Sequence, residues 1–161
     1  MGKNDNPIDN TLASDMVLFC ANAVGGAIAQ QGIRALFRHF GGQMIYIPLE
    51  KDTGTSAEKI RGILADAVGD NSAQKILNKL MFSFGGLQIY IPLERCAFRK
   101  IIALEIYERN HQKNESMNDL AREYNISFTF AYKLWREGRS EKFEKTLPYL
   151  PFLEVVCNNP D

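Results

Sequence analysis

The chain of 161 residues is poor in the residue types that carry out chemistry. Its three cysteines, Cys20, Cys96 and Cys157, are odd in number and far apart. They fit neither a disulfide framework nor a metal cluster and suit a reducing compartment. The two histidines, His39 and His111, have no partner in a Ser-His-Asp, Cys-His or zinc-binding pattern. His39, beside a helix stop, and His111, in a polar loop, read as surface residues. No catalytic residue, no metal and no cofactor is expected, and the chain does not read as an enzyme. No apolar run approaches the roughly 18 residues that a bilayer span needs. The polar start MGKNDNPIDN has no apolar leader segment, and Asn6 stands where a myristoylation signal needs Ser or Thr. Glycine pairs occur, but neither GxGxxG nor GxxxxGK[ST] is present, so they read as helix stops and not as phosphate loops. These absences point to a cytoplasmic protein with no membrane partner.

Net charge is also lacking, with 19 Lys+Arg against 19 Asp+Glu. The balance is uneven along the chain: residues 1–94 hold 8 basic against 9 acidic groups, and residues 95–145 hold 11 against 8. The basic excess of three sits in the second block, where a polyanion would be met. With 45% apolar and 24% charged residues, the composition is that of a folded globular protein.

What the chain does have is a repeat. FGGQMIYIPLE (residues 40–50) and FGGLQIYIPLE (residues 84–94) share nine of eleven letters at an offset of 44. Carried backwards, the offset aligns residues 16–51 with residues 60–95, with 16 identities. In the second copy Ile60, Ile63, Leu64, Ala67 and Val68 follow the spacing of a helix with one buried stripe. Gly69 can end that helix, and Asp70 can cap the next, whose stripe is Ala73, Ile76, Leu77, Leu80, Met81 and Phe84. The first copy repeats the plan with Met16, Phe19, Cys20 and Val24, then Ile33, Leu36, Phe37 and Phe40. Gly25, Gly26 and Gly32 are expected to weaken that helix pair, by about 1 kcal/mol per interior glycine.

Each copy ends in Gly-Gly, a short strand and a proline that cannot extend a ladder. The residues assigned to strand pairing and dimerisation are Gly41, Gly42, Ile45, Tyr46, Ile47 and Pro48, with Gly85, Gly86, Ile89, Tyr90, Ile91 and Pro92. Strands this short need a partner strand and a helical layer. Pairing of the two copies within one chain over four helices is the simplest arrangement, and pairing between chains is its rival. Alternation puts Ile45 and Ile47 on one face and Tyr46 on the other, with the same pattern at Ile89, Ile91 and Tyr90.

After Glu94 the repeat stops. Residues 97–108 predict a helix with Phe98, Ile101, Ile102 and Leu104 or Ile106 inward, followed by a polar loop. Residues 118–137, NDLAREYNISFTFAYKLWRE, fit a helix-turn-helix. Ala121 is small where two helices cross, Asn125 tolerates the left-handed turn, and Ser127 is placed to cap the second helix. Leu120, Tyr124, Ile126, Ala131 and Leu134 would lock the pair. A second helix of this kind enters the major groove by its N-terminal part. The DNA-binding residues assigned are Ser127, Phe128, Thr129, Tyr132, Lys133, Arg136 and Arg139. Phe128 and Phe130 are apolar where groove-facing residues are usually polar; a thymine methyl or the apolar tail PYLPFLEVV would account for them.

The signature Gly85, Gly86, Tyr90 and Pro92, followed by Leu120, Ala121, Tyr124, Ile126, Ser127 and Tyr132, resembles the Mor transcription activator family of phage middle-operon regulators. The likeness covers roughly residues 60–137. It implies a dimer built on N-terminal helices and a strand, with helix-turn-helix domains that bind double-stranded promoter DNA and recruit RNA polymerase. Three features depart from that pattern: two strand units precede one helix-turn-helix, the approach to Leu120 reads NESMND, and the tail has no counterpart. The expectation is a mostly α chain with a small two-stranded antiparallel β ribbon. Residues 1–95 form the duplicated region, residues 96–145 the helix-turn-helix DNA-binding domain and residues 146–161 a tail. The expected function is a sequence-specific DNA-binding activator of phage or prophage genes, acting as a homodimer or an internal pseudo-dimer. The alternative is an interaction module that keeps the fold without binding DNA and pairs with a related regulator.

Overall fold

Glycine sets the element boundaries of the first half. Helix α1 (Thr11–Val24) ends at Gly25, and α2 (Gly26–Phe40) ends at Gly41-Gly42, ahead of strand β1 (Gln43–Tyr46). Helix α3 (Thr55–Val68) ends at Gly69, and α4 (Asp70–Phe84) at Gly85-Gly86, ahead of β2 (Gln88–Ile91). Gly25 and Gly69 have φ of 90° and 82°, and Gly42 and Gly86 have φ of 83° and 81°. These are left-handed values that side-chain-bearing residues rarely adopt. The computed structural model describes residue 8, residues 10–52 and residues 54–146, with side chains through Lys142. It is mostly helical with one two-stranded antiparallel sheet. Among the described residues, no helix is long and apolar enough to cross a membrane. The tail from residue 147, to which the apolar docking expectation applied, lies outside the described residues.

The chain divides into two compact units, Met1–Arg99 and Lys100–Asp161. In the first, α1 lies against α2 and α4, and α3 against α4 and α2. The core holds Met16, Cys20, Ile33, Leu36 and Phe37 beside Ile60, Leu64, Ile76, Leu77 and Leu80. The helices start earlier than the sequence repeat suggested, at Thr11 and Thr55. These two positions also lie 44 residues apart, and the buried Ala13 and Ala57 share that offset.

The strands pair within the chain, with Ile45 opposite Ile89, Met44 opposite Tyr90 and Tyr46 opposite Gln88. Gly42 N–H donates to Ile91 O at 2.7 Å, and Gly86 N–H donates to Ile47 O at 2.8 Å. Ile47 and Ile91 are buried, whereas Met44, Tyr46, Gln88 and Tyr90 are exposed on the other face. A Cβ on Gly41 would lie 2.6 Å from Phe37 O and 3.1 Å from Leu93 Cα, so the chain turns there only without a side chain.

Four details differ from the sequence expectation. Phe19 is 47% exposed and not in the inward stripe; the edge of its ring meets Phe84, itself half-buried, at 5.9 Å. Asp70 is the first residue of α4 and not its cap, a place taken by Gly69; its carboxylate lies 3.7 Å from Arg61. The helix read from 97 divides at Phe98, giving α5 (Glu94–Ala97) and α6 (Arg99–Lys113). Phe98 stays with the first unit, packing edge-on against Phe37 at 5.4 Å. Glu94 accepts from Arg34 at 3.0 Å and from Arg38 at 2.9 Å, so this segment is tied to α2 by charge as well as by the aromatic pair.

Gly32, grouped with the weakening glycines, is buried in α2. A Cβ there would come within 2.8 Å of Ile76 Cδ1 and 3.3 Å of Leu64 Cδ2. Its smallness lets α2 approach α3 and α4. Burial in the same core pushes the Cys20 thiol up to about 11, with Lys79 acting weakly in the other direction, so it stays protonated and inert. Replacing Gly32 with Val should lower stability by about 1–3 kcal/mol through overpacking. Adding Ile76→Ala to that variant should recover part of the loss in urea unfolding, because the void it opens takes up the new methyls.

Candidate nucleic-acid interface

The second unit is built on α6, whose Ile102, Ala103, Ile106 and Tyr107 are buried. Helix α7 (Met117–Glu123) begins at Ser116, whose hydroxyl accepts from Asn118 N–H at 3.2 Å. It ends at Tyr124, and Asn125 takes φ 51°. Helix α8 (Phe128–Thr146) follows directly. Ile126 N–H donates to Ala121 O at 2.9 Å, and Phe130 N–H to Ser127 Oγ at 3.2 Å. Asparagine accepts the left-handed turn at low cost, and Ser127 satisfies an amide that the first turn of α8 would otherwise leave open. Leu120, Ala121, Ala131 and Leu134 are buried.

The residues assigned to DNA contact share one side of α8. At 100° per residue, Phe128, Thr129, Tyr132, Lys133, Arg136 and Arg139 fall within an arc of about 140°. All six are exposed, as is Ser127; Phe128 is 52% and Tyr132 49% exposed. Ala131, Leu134 and Gly138 occupy the opposite, buried side, and Phe130 is half-buried. Tyr132 is not free-standing: its ring stacks on Trp135 at 5.6 Å and 17°. Trp135 also meets Tyr107 at 5.7 Å, and the Arg139 guanidinium lies 5.8 Å over it. The Trp135 indole N–H is buried without a hydrogen-bond partner among the described residues. Strand residues Tyr46 and Tyr90 are exposed, and Ile45 and Ile89 are half-buried, on the ribbon of the other unit.

Three features escaped the sequence reading. The stretch read as a polar loop is mostly the last turns of α6, because Arg109, Gln112 and Lys113 favour helix, no Gly or Pro interrupts it, and the helix ends only at Asn114, φ 54°. His111 therefore stacks on Tyr107 at 5.4 Å, one helical turn away, and does not sit in a loop. Second, Arg109 joins both sides of the short connection: it donates to Glu115 at 3.0 Å and to Glu123 at 2.6 Å and 2.7 Å. Tyr124, under its guanidinium at 6.0 Å, donates to Glu105 at 2.7 Å. The pairings with Glu123 and then Glu115 hold the Arg109 pKa above its ordinary value, and Arg109 in turn holds the Glu115 carboxyl below the usual carboxylate value. Sequence spacing gives no hint of these contacts, since they cross a turn. Third, Gly138 is a contact point: a Cβ there would run into Ala103 O and lie 3.0 Å from Tyr107 Cβ. An isolated glycine within a helical pattern was the available signal.

The sequence model of the Mor transcription activator family matches residues 49–150. No curated protein and no solved structure matches the chain significantly.

Two outcomes follow from this geometry. Gly138→Ala should destabilise the protein by about 1–3 kcal/mol, because backbone has to move. Glu115 has a lowered folded pKa, so its stabilising contribution is present above the unfolded carboxylate pKa and disappears as pH falls through the folded one. The stability difference between wild type and Glu115→Gln, measured by urea unfolding near neutrality, should therefore vanish in acid.

Proposed function

The chain belongs to the Mor transcription activator family, and from that premise we propose that it is a sequence-specific DNA-binding activator of phage or prophage genes that recruits RNA polymerase. Helices α7 and α8 act as the helix-turn-helix. The observation that carries the reading is the exposed arc of Thr129, Tyr132, Lys133, Arg136 and Arg139 behind a capped helix start, with a left-handed Asn125 at the turn. Ser127 and the first turn of α8 enter the major groove, while Lys133, Arg136 and Arg139 meet phosphates or base edges.

The first unit supplies the pairing. Residues 11–47 and 55–91 are two copies of one helix-helix-strand module, so the chain is an internal pseudo-dimer with a single DNA reader. Equal helix lengths, 14 and 15 residues in both halves, support this. So does the meeting of residues 44 apart, Ile45 opposite Ile89 and Gly32 against Ile76. A second chain, forming a homodimer, brings the second reader to a two-fold site.

The test is fluorescence anisotropy of the full chain with a mixed-sequence duplex across a salt series. Affinity should fall steeply with salt. The double variant Lys133→Gln, Arg136→Gln should bind more weakly, with a slope shallower by about 0.9 for each phosphate that the variant no longer neutralises. An unchanged slope and affinity in that variant would remove these two side chains from the interface.

A further inference from the structure

We propose that Phe128, backed by Tyr132, reads the C5-methyl group of thymine in the major groove, so that apolar contact sets part of the DNA sequence preference. The inference rests on the DNA-binding reading above and deepens it.

Phe128 is the first residue of α8, the end of such a helix that goes deepest into the groove. Its side chain is 52% exposed. It has no polar atom, so it cannot answer the donors and acceptors on the base edges. In the major groove the thymine methyl is the apolar group available to it. A lone exposed phenylalanine would carry little meaning. Phe128 is not alone: Tyr132 lies one turn on, four residues away, where helix neighbours face the same side. Stacking of Tyr132 on Trp135, which is itself flanked by Tyr107 and Arg139, fixes the ring from behind. The pair is thus an aromatic surface with one anchored member. Thr129, Lys133 and Arg136 are exposed on the same arc. Cations beside an apolar pair suit a groove, where phosphates flank the base edges, and do not suit a core-facing pair.

Removing methyl groups from the DNA isolates this contribution. One probe is a duplex of alternating adenine and thymine, and the other is the same duplex with uracil at every thymine. The full chain should bind the thymine duplex about fourfold more tightly for each methyl it buries. Phe128→Ala should bring the ratio between the two duplexes close to one while leaving the salt slope as it was; Phe128→Leu should keep part of the ratio. Salt-dependent binding of both duplexes with equal affinity by the wild-type chain would overturn the thymine-methyl proposal and leave the DNA-binding reading standing. A preference that survives Phe128→Ala would overturn the assignment to this residue. Absence of salt-dependent binding to either duplex would overturn the DNA-binding reading itself, and the proposal with it.

Discussion

The first unit depends on one contact, the pairing of β1 with β2. Each strand is four residues long, too short to persist without a partner and a layer beneath it. Each ends at a proline or a glycine turn, so neither can lengthen to compensate. The pairing also constrains the helices. Gly42 and Gly86 donate to Ile91 and Ile47, across to the opposite strand, and these glycines stand two residues after the ends of α2 and α4. Fixing the ribbon therefore fixes where both helices end.

Placing both strands in one chain permits something a symmetric pair of identical chains cannot do. At a two-fold axis identical residues meet themselves, so a large side chain there faces its own copy. Here Gly32 faces Ile76, its counterpart at the same offset that relates the two halves. One side gives room and the other fills it. The two halves also differ at other matched positions: Cys20 against Leu64, Phe37 against Met81, Arg38 against Phe82. Arg38 holds Glu94, whereas Phe82 is among the most exposed apolar side chains described. On the proposed duplication, the two copies have become complementary where they meet and different where they face solvent.

The helical stripes, the glycine breaks, the turn at Asn125 and the cap at Ser127 were legible in the sequence, because each is a local signal with a local cause. Periodicity was less reliable at the margins. Phe19 matched the inward stripe by spacing but is 47% exposed, its ring meeting Phe84 edge to face. The polar segment after Glu108 looked like a loop because it lacks apolar residues; a helix end that is solvated on most sides needs none. The residues proposed to meet DNA were named from helical spacing, and the structure puts them on one exposed arc of α8. What holds that arc in place could not be named that way. Arg109 with Glu115 and Glu123, and Gly138 against Ala103, depend on distances across turns and between helices that no spacing rule encodes.

The central claim is that a single chain supplies both strands of the ribbon. The most direct measurement introduces Met44→Cys and Tyr90→Cys, at opposed positions, in a chain carrying Cys96→Ser and Cys157→Ser. Met44 and Tyr90 form a non-hydrogen-bonded pair, the kind in which cross-strand side chains come closest. Mild oxidation followed by non-reducing electrophoresis should give a cross-linked product of single-chain mass, independent of protein concentration. Disulfide-linked pairs of chains as the main product would mean that the strands pair between molecules, and would contradict the account.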